Sequence, residues 1–213
     1  MSTFCVSKTF LWQGKITNKV SAVMSMFGLT AEQLTERLLT HNCTVQIKPG
    51  DIVYITGPSG SGKSVLLKEL EKSVSDSDKV NLSEIELPGD KTLIDCIEAN
   101  LLESLRLLSA AGLNDCFCVL NQPANLSDGQ KYRFRLAMTL ATGKKYIFAD
   151  EFCSELDRIT AAVIAYNIHK FAKRAGVTFI LASSHEDILL DLAPDVVVVK
   201  ELSGQTEVIY KKK

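Results

Sequence analysis

The segment that most restricts the fold is Gly-Pro-Ser-Gly-Ser-Gly-Lys-Ser at positions 57–64, which directly follows the apolar run 52–56. It fits the pattern G-x-x-x-x-G-K-[S/T], and a helix-like stretch with its leucines on one face comes next. A buried strand that turns through glycines into a helix surrounds an anion with main-chain N–H groups. The sequence therefore predicts an α/β domain with a mainly parallel central sheet and a nucleotide site.

The residue types in this loop explain how it would hold a triphosphate. Glycines let successive N–H groups turn inward without a Cβ clash. Lys63 would supply a cation to the β- and γ-phosphates, and the hydroxyl of Ser64 would coordinate Mg²⁺. The residues expected to bind the nucleotide are Gly57, Pro58, Ser59, Gly60, Ser61, Gly62, Lys63, Ser64 and Val65.

Two further apolar segments end in polar residues that suit phosphate chemistry. The predicted strand 144–149, apolar from Tyr146 onward, is followed by Asp150 and Glu151, and the run 177–182 leads to His185. Asp150 would hold Mg²⁺, directly or through water, while Glu151 would orient a water in line with the γ-phosphate. His185 would donate a hydrogen bond to a phosphate oxygen. Taken alone, these features also fit a solvated acidic turn and a surface histidine.

A second candidate anion site lies between these elements. Residues 126–130 read Leu-Ser-Asp-Gly-Gln and precede the apolar, helix-like run 132–140. Ser127 is a good N-cap, so the start of this helix would offer free N–H groups and the positive end of a dipole. The chain thus has two candidate phosphate sites. The loop at 57–64 can hold the phosphates of one nucleotide by itself, so the purpose of the second site needs a separate explanation.

Taken in order, these pieces resemble the ATP-binding cassette (ABC) ATPases. The elements that carry the resemblance are the phosphate loop 57–64, the signature 126–130, the pair Asp150-Glu151, the D-loop residue Asp157 and His185, within about 43–192. The resemblance implies a P-loop NTPase fold of the ABC type and Mg²⁺-dependent ATP hydrolysis. It names Glu151, His185 and Lys63 as catalytic residues and Ser64 and Asp150 as Mg²⁺ ligands.

The resemblance also implies a use for the second anion site. In ABC ATPases two cassettes dimerise head to tail, and each nucleotide lies between the phosphate loop of one chain and the signature of the other. Ser127 and Gly129 would then grip the γ-phosphate held by Lys63 of a second copy, so that ATP holds a homodimer together. The signature residues expected to contact ATP in this way are Leu126, Ser127, Asp128, Gly129 and Gln130.

The sequence departs from transport cassettes in two respects. Those cassettes carry a glutamine between the phosphate loop and the signature, but here Gln122 comes too late, and Glu84 or Glu86 stands in the expected neighbourhood. The helical subdomain, at about 89–142, is short, with one helix predicted over 92–108. These departures favour a soluble switch that acts on an unknown protein or nucleic-acid partner. The alternative is the ATP-binding subunit of an ABC membrane transporter.

The N-terminal part is less sharply defined. A short β region is expected there, and either Phe10 or Phe27 would stack on adenine. The segment 30–40 predicts a short amphipathic helix that packs against the sheet rather than meeting a partner. The whole chain resembles most a small group of ABC-type ATPases, some of which are fused to an acetyltransferase-like domain.

Composition is ordinary for a globular domain, with 46% hydrophobic residues and a net charge of −1. No apolar run approaches the length needed to cross a bilayer, and no secretory leader is visible. We therefore expect the six cysteines to be reduced thiols. Apart from residues 210–213, the sequence has no basic patch, so its charges do not indicate binding to duplex DNA. We expect one cytoplasmic ABC domain over residues 1–213.

Overall fold

A computed structural model describes residues 2–10, 12–36 and 39–212. The strands are β1 (Ser2–Phe10), β2 (Leu39–Ile47), β3 (Ile52–Thr56), β4 (Lys79–Asn81), β5 (Tyr146–Ala149), β6 (Thr178–Ala182), β7 (Val196–Lys200) and β8 (Thr206–Tyr210). The α-helices are α1 (Asn18–Phe27), α2 (Ala31–Glu36), α3 (Lys63–Lys72), α4 (Leu101–Ala110), α5 (Cys116–Val119), α6 (Asp128–Ala141), α7 (Arg158–Ala175) and α8 (Leu189–Leu192). Short 3-10 helices cover Leu82–Glu84 and Pro123–Asn125.

The strands form two sheets. β1 and β2 make an antiparallel pair, and the other strands form a six-stranded sheet in the order β4-β5-β6-β3-β7-β8. Within the larger sheet all neighbours run parallel except β7 and β8. The carboxyl ends of parallel strands lie at one edge, so the segments that follow β3, β6 and β5 emerge side by side.

The strand at the centre of the sheet is buried on both faces. Ile52 and Tyr54 of β3 belong to a core shared with α4, α6 and α7. Val53 and Ile55 point the other way, into a core shared with α3 and the β1–β2 pair. All four side chains are 0% exposed. Burying each one stabilises the fold by about 1.5–3 kcal/mol, which fixes the strand that carries the phosphate loop.

The helix predicted over 92–108 is shorter in the structure and begins only at Leu101. The main-chain N–H of Leu93 donates to the carbonyl of Asn121 at 3.0 Å, which holds the residues around it in a turn. The side chain of Asn100 then caps the helix by accepting a hydrogen bond from the N–H of Glu103 at 3.0 Å. A distant backbone partner therefore overrides the local helical pattern.

The N-terminal insertion also differs from expectation. Of the helix predicted over 30–40, α2 covers Ala31–Glu36, while residues 39 and 40 belong to β2, and the longer α1 was not predicted. The side chain of Thr17 caps α1, and Gly28 ends it at a φ of 63°. No residue of α1 is buried, and Met26 is 80% exposed. In the segment 30–40, Leu34 is half-buried and the side chains of 35–40 lie outside the described part of the structure, so its packing on the sheet stays a prediction.

Among the described residues, none of the helices combines the length and the hydropathy that crossing a bilayer requires.

Candidate functional site

The loop between β3 and α3 has a backbone that demands glycine at its first position. Gly57 has a φ of 141°, and a Cβ built there would lie 2.1 Å from the carbonyl oxygen of Lys200 at the end of β7. Gly60 and Gly62 also have positive φ values, of 80° and 90°. The loop therefore closes against β7 in a conformation that residues with side chains rarely adopt.

Lys63, the first residue of α3, folds back over this loop. Its ammonium donates to the carbonyl of Gly57 at 2.8 Å and to that of Pro58 at 3.1 Å, and only 7% of the residue is exposed. Gly62 at the N-cap provides no side-chain cap for the helix. The first N–H groups of α3, the positive end of its dipole and the lysine cation thus converge on one loop, which suits an anion.

Two hydroxyls at this loop have no hydrogen-bond partner among the described residues. They belong to Thr56, at the end of β3, and to Ser61, inside the loop, and both oxygens are buried. A buried hydroxyl without a partner costs about 1–3 kcal/mol. Unpaired polar atoms of this kind are typical of a site that a ligand completes.

The acidic pair lies at the end of β5, separated from β3 by β6. Asp150 is half-buried and Glu151 is exposed, and the N–H of Glu151 donates to Asp150 Oδ1 at 3.1 Å. Glu151 has a φ of 48°, which is a strained conformation for a residue with a side chain. The N–H and hydroxyl of Ser154 both donate to its carbonyl, at 3.0 and 2.8 Å, and hold this turn.

His185 follows β6, the strand between the loop and the acidic pair. Its imidazole is exposed, but its main chain is held at both ends. Its N–H donates to Ser183 Oγ at 3.3 Å, and its carbonyl accepts a hydrogen bond from the hydroxyl of Tyr54. Tyr54 is fully buried, and burial raises the pKa of its phenol to about 12. Lys63, Asp150, Glu151 and His185 therefore follow three adjacent strands at one sheet edge.

The predicted signature forms the start of α6. Ser127 is its N-cap: the hydroxyl accepts from the N–H of Gln130 at 3.3 Å, and the Gln130 side chain accepts from the N–H of Ser127 at 3.0 Å. Ser127 and Asp128 are exposed, whereas Leu126 is 5% exposed and packs in the core. The outward-facing part of the segment is thus its polar part, and Leu126 anchors it.

A buried tyrosine joins α6 to the acidic pair. The hydroxyl of Tyr132 accepts a hydrogen bond from the N–H of Cys153 at 2.9 Å, and burial raises the pKa of this phenol well above its usual value. A Cβ on Gly129 would lie 3.4 Å from the side chain of Leu156. The start of α6 is therefore packed against the segment that follows Glu151 in the same chain.

The remaining candidates lie outside the loop, the acidic pair and the start of α6. Asp157 is the N-cap of α7, and hydrogen bonds from Thr160 lower the pKa of its carboxyl. Glu84 and Glu86 are exposed after β4, the strand beside β5. Of the two adenine candidates, Phe27 is 74% exposed on α1. The side chain of Phe10 lies outside the described part of the structure.

The sequence analysis did not identify three residues whose hydrogen bonds hold the backbone of the site, namely Tyr54, Tyr132 and Ser183. A signal was present for Tyr54, since it is the one aromatic residue in the otherwise aliphatic run 52–55. A tyrosine in a doubly buried strand requires a partner for its hydroxyl. The partner itself, a main-chain carbonyl on another strand's loop, is not visible in the sequence.

A protein-family model described as ABC transporter matches residues 40–154, which contain the loop, the signature and the acidic pair. The chain belongs to this family. It is therefore an ATPase of the ABC type, and both the family resemblance and the P-loop fold are confirmed. Solved structures have the same fold. A post-hydrolysis dimeric structure of the ATP-binding cassette MJ0796 bound to ADP and Pi matches with a TM-score of 0.69 and 19% identity, covering 100% of both chains. Another dimeric structure of MJ0796, a bacterial ABC transporter cassette, gives a TM-score of 0.66 at 21% identity, covering 84% of this chain and 94% of the other.

Curated relatives are ATP-binding proteins of import systems. The methionine import ATP-binding protein MetN of Mannheimia succiniciproducens is 29% identical over 217 residues, which cover 85% of this chain and 61% of MetN. The aliphatic sulfonates import ATP-binding protein SsuB of Albidiferax ferrireducens is 26% identical over 211 residues, covering 87% of this chain and 75% of SsuB. The chain thus spans less than two thirds of MetN. These relatives favour the transporter alternative over the soluble switch.

Proposed function

We propose that this ABC ATPase hydrolyses Mg·ATP between two copies arranged head to tail. The observation that carries the proposal is the shared sheet edge, where the loop with Lys63, the acidic pair and His185 follow adjacent strands. In this proposal Lys63 and the N-terminus of α3 bind the phosphates, Glu151 orients the attacking water and His185 donates to the γ-phosphate. One cassette would extend over residues 1–213.

The residues present fit a Mg²⁺ ion that arrives with the nucleotide. Ser64 is half-buried at the start of α3, and Asp150 is half-buried at the end of β5. A hydroxyl and a carboxylate are the oxygen donors that Mg²⁺ prefers, and substrate phosphates supply further ligands in such sites. When bound, the ion would offset the negative charge of the β- and γ-phosphates. No group of three metal-binding acidic, histidine or cysteine side chains occurs among the described residues.

The geometry of α6 supports the role proposed for the signature. The hydroxyl of Ser127 is engaged in the capping box, but the first N–H groups of a helix have no intrahelical acceptor. These groups lie next to exposed Ser127 and Asp128, at the positive end of a 14-residue helix. A γ-phosphate held by a second copy would satisfy them, and this would make ATP the link between the copies.

For the biological role, we infer an ATP-binding subunit of an import transporter. The named relatives support this role, as does an apolar cavity of about 400 Å³ beside α4 and α5. The apolar residues that line it are Ile94, Leu101, Leu105, Leu113, Val119 and Leu120. Leu101 is 67% and Leu120 64% exposed, so the cavity offers an apolar surface to a membrane-embedded partner.

The soluble switch stays a second candidate because of one observation. Glu84 and Glu86 are exposed where transport cassettes carry their glutamine. Fractionation of the native cells separates the two roles. A transporter subunit sediments with membranes and is released by Leu101→Asp with Leu120→Asp, whereas a switch stays in the supernatant whether or not it carries these changes.

Mixing two inactive variants tests the shared site. Lys63→Ala removes the lysine that binds the phosphates, so this variant should lose ATP binding, unlike Lys68→Ala at an exposed position of the same helix. Ser127→Arg should bind ATP as a monomer but not hydrolyse it. Their mixture should regain activity, because the heterodimer contains one intact site.

The matched control for this mixture is the double variant, Lys63→Ala with Ser127→Arg. Combined with Ser127→Arg, it leaves every site broken, so no activity should return. If the two single variants are folded and their mixture hydrolyses no more ATP than this control, the shared-site mechanism is wrong.

A further inference from the structure

A groove separate from the nucleotide edge runs between α4 and the second half of α7. The two helices pack side by side, and a cavity of about 600 Å³ lies along their outer faces. Each wall has the spacing i, i+3, i+4, i+7 that places residues on one helical face. The lining residues at these positions are Leu102, Leu105, Arg106 and Ser109 of α4, and Asn167, Lys170, Phe171 and Arg174 of α7; Ala110 also lines the cavity.

The polar lining of this groove is cationic. Arg106, Lys170 and Arg174 contribute three positive charges, and α7 contains no aspartate or glutamate from its first residue to its last. Among the described residues, Arg106 forms an ion pair with Glu103, whose carboxylate lies 3.5 Å from the guanidinium. The chain as a whole has a net charge of −1, so this face concentrates charge of the opposite sign.

The floor of the groove is apolar and exposed. Leu102 is 59% and Leu105 is 41% exposed, although both lie on a helix whose other face is buried in the core. Phe171 packs edge-on against the core residue Phe179, with ring centroids 6.4 Å apart. Covering these exposed leucines with an apolar partner would lower the free energy, which is typical of a protein-binding surface.

Two of the three cations lie over aromatic rings. The guanidinium of Arg174 lies 5.9 Å from the centroid of Phe171, and the ammonium of Lys170 lies 4.6 Å from that of Tyr166. Such cation–π contacts restrict the two long side chains before any partner arrives. Phe171 is the one aromatic ring among the lining residues, too few to stack the successive bases of a single strand of RNA or DNA, and this favours a protein partner.

We propose that this groove docks an amphipathic helix of a partner protein, with a leucine-rich stripe flanked by glutamate or aspartate. The stripe would lie on Leu102, Leu105 and Phe171, and its acidic flanks would face the three cations. This docking is independent of the proposed hydrolysis mechanism, since none of the lining residues belongs to the nucleotide edge.

A charge-swap experiment tests the proposal. The probe is a fluorescein-labelled synthetic helix with leucines at i, i+3, i+4 and i+7 and glutamates beside them, and binding is followed by fluorescence anisotropy. The double variant Lys170→Glu with Arg174→Glu should bind it about tenfold or more weakly. A second peptide with lysines in place of the glutamates should then prefer the variant. Leu102→Ser should weaken binding of both peptides.

The matched control changes the same charge elsewhere. Lys15→Glu with Lys19→Glu alters two exposed lysines near α1 and should leave both affinities unchanged. Thermal unfolding and ATP hydrolysis should match the wild type in every variant. The proposal is overturned if the wild type does not bind the acidic peptide, if both double variants weaken it equally, or if a single-stranded oligonucleotide binds the groove in its place.

Discussion

The buried hydroxyl of Tyr54 donates a hydrogen bond to the main-chain carbonyl of His185. Tyr54 lies on the strand that leads into the phosphate loop, and His185 lies in the segment after the neighbouring strand. The N–H of Ser183 adds a second connection by donating to the carbonyl of Ile55 at 3.1 Å. The backbone that carries the histidine is therefore positioned by the strand that carries the phosphate-binding loop.

Tyr54→Phe removes this connection without changing the volume of the core. We expect the free energy of unfolding to fall by about 1 kcal/mol, because the carbonyl of His185 loses its donor. We also expect kcat to fall about three- to tenfold at an unchanged KM for ATP, since the phosphate loop is intact and only the histidine is less well held. Urea unfolding and steady-state kinetics measure the two effects.

Tyr210→Phe is the control for Tyr54→Phe. Its hydroxyl accepts a hydrogen bond from the N–H of Gln46 at 2.9 Å, on a strand at the edge of the sheet. That change should alter stability but not kcat. Equal turnover in the two variants would show that Tyr54 does not position His185.

Alkaline pH should weaken the fold through the same tyrosine. Burial raises the pKa of Tyr54 from 10.0 to about 12, so the unfolded chain loses this proton at a lower pH than the folded one. Stability is therefore unaffected below about pH 10 and decreases as the pH rises from there towards 12. Urea titrations across this range should show the stability advantage of the wild type over Tyr54→Phe shrinking above pH 10. An advantage that grows with pH would contradict the assignment.

Two glycines of the phosphate loop should respond differently to alanine. A Cβ at Gly57 would lie 2.1 Å from the carbonyl of Lys200, whereas a Cβ at Gly60 meets nothing within 4 Å. Gly60→Ala should cost about 1–2 kcal/mol, from its positive φ alone. Gly57→Ala should cost about 2–4 kcal/mol and abolish ATP binding, because β7 and the loop must separate. Thermal unfolding and nucleotide titration measure the two effects. Equal losses of stability and of ATP affinity in the two variants would contradict this prediction.

Glu151→Gln should convert a transient dimer into a stable one. The amide keeps the shape of the side chain but cannot act as the base for the attacking water, so hydrolysis should fall about a hundredfold. With Mg·ATP, light scattering should give a dimer for this variant, and a monomer for the wild type without nucleotide. Glu155→Gln, at an exposed position of the same segment, is the control and should behave as the wild type. A Glu151→Gln chain that stays monomeric with Mg·ATP would exclude ATP as the link between copies.

The sequence by itself determined the elements whose signals are local. The strand 52–56 has the predicted bounds, a helix follows the glycine loop as predicted, and Ser127 is the N-cap of the helix that contains the predicted run 132–140. Their patterns depend on neighbours a few positions apart: alternation in a strand, apolar spacing in a helix, and a hydroxyl that accepts from an N–H three residues on. For this reason the candidate residues of the nucleotide edge could be named before their positions were known.

Only the tertiary structure decided the contacts between segments that are distant in the chain. It joined Tyr54 to His185 and Tyr132 to Cys153, and it closed Gly57 against β7. It also shortened the helix over 92–108 and left α1 exposed. Long-range hydrogen bonds and packing depend on which strands become neighbours. The local pattern of a segment does not indicate which strand or helix will be its neighbour, because the same residues would form the same element beside a different neighbour.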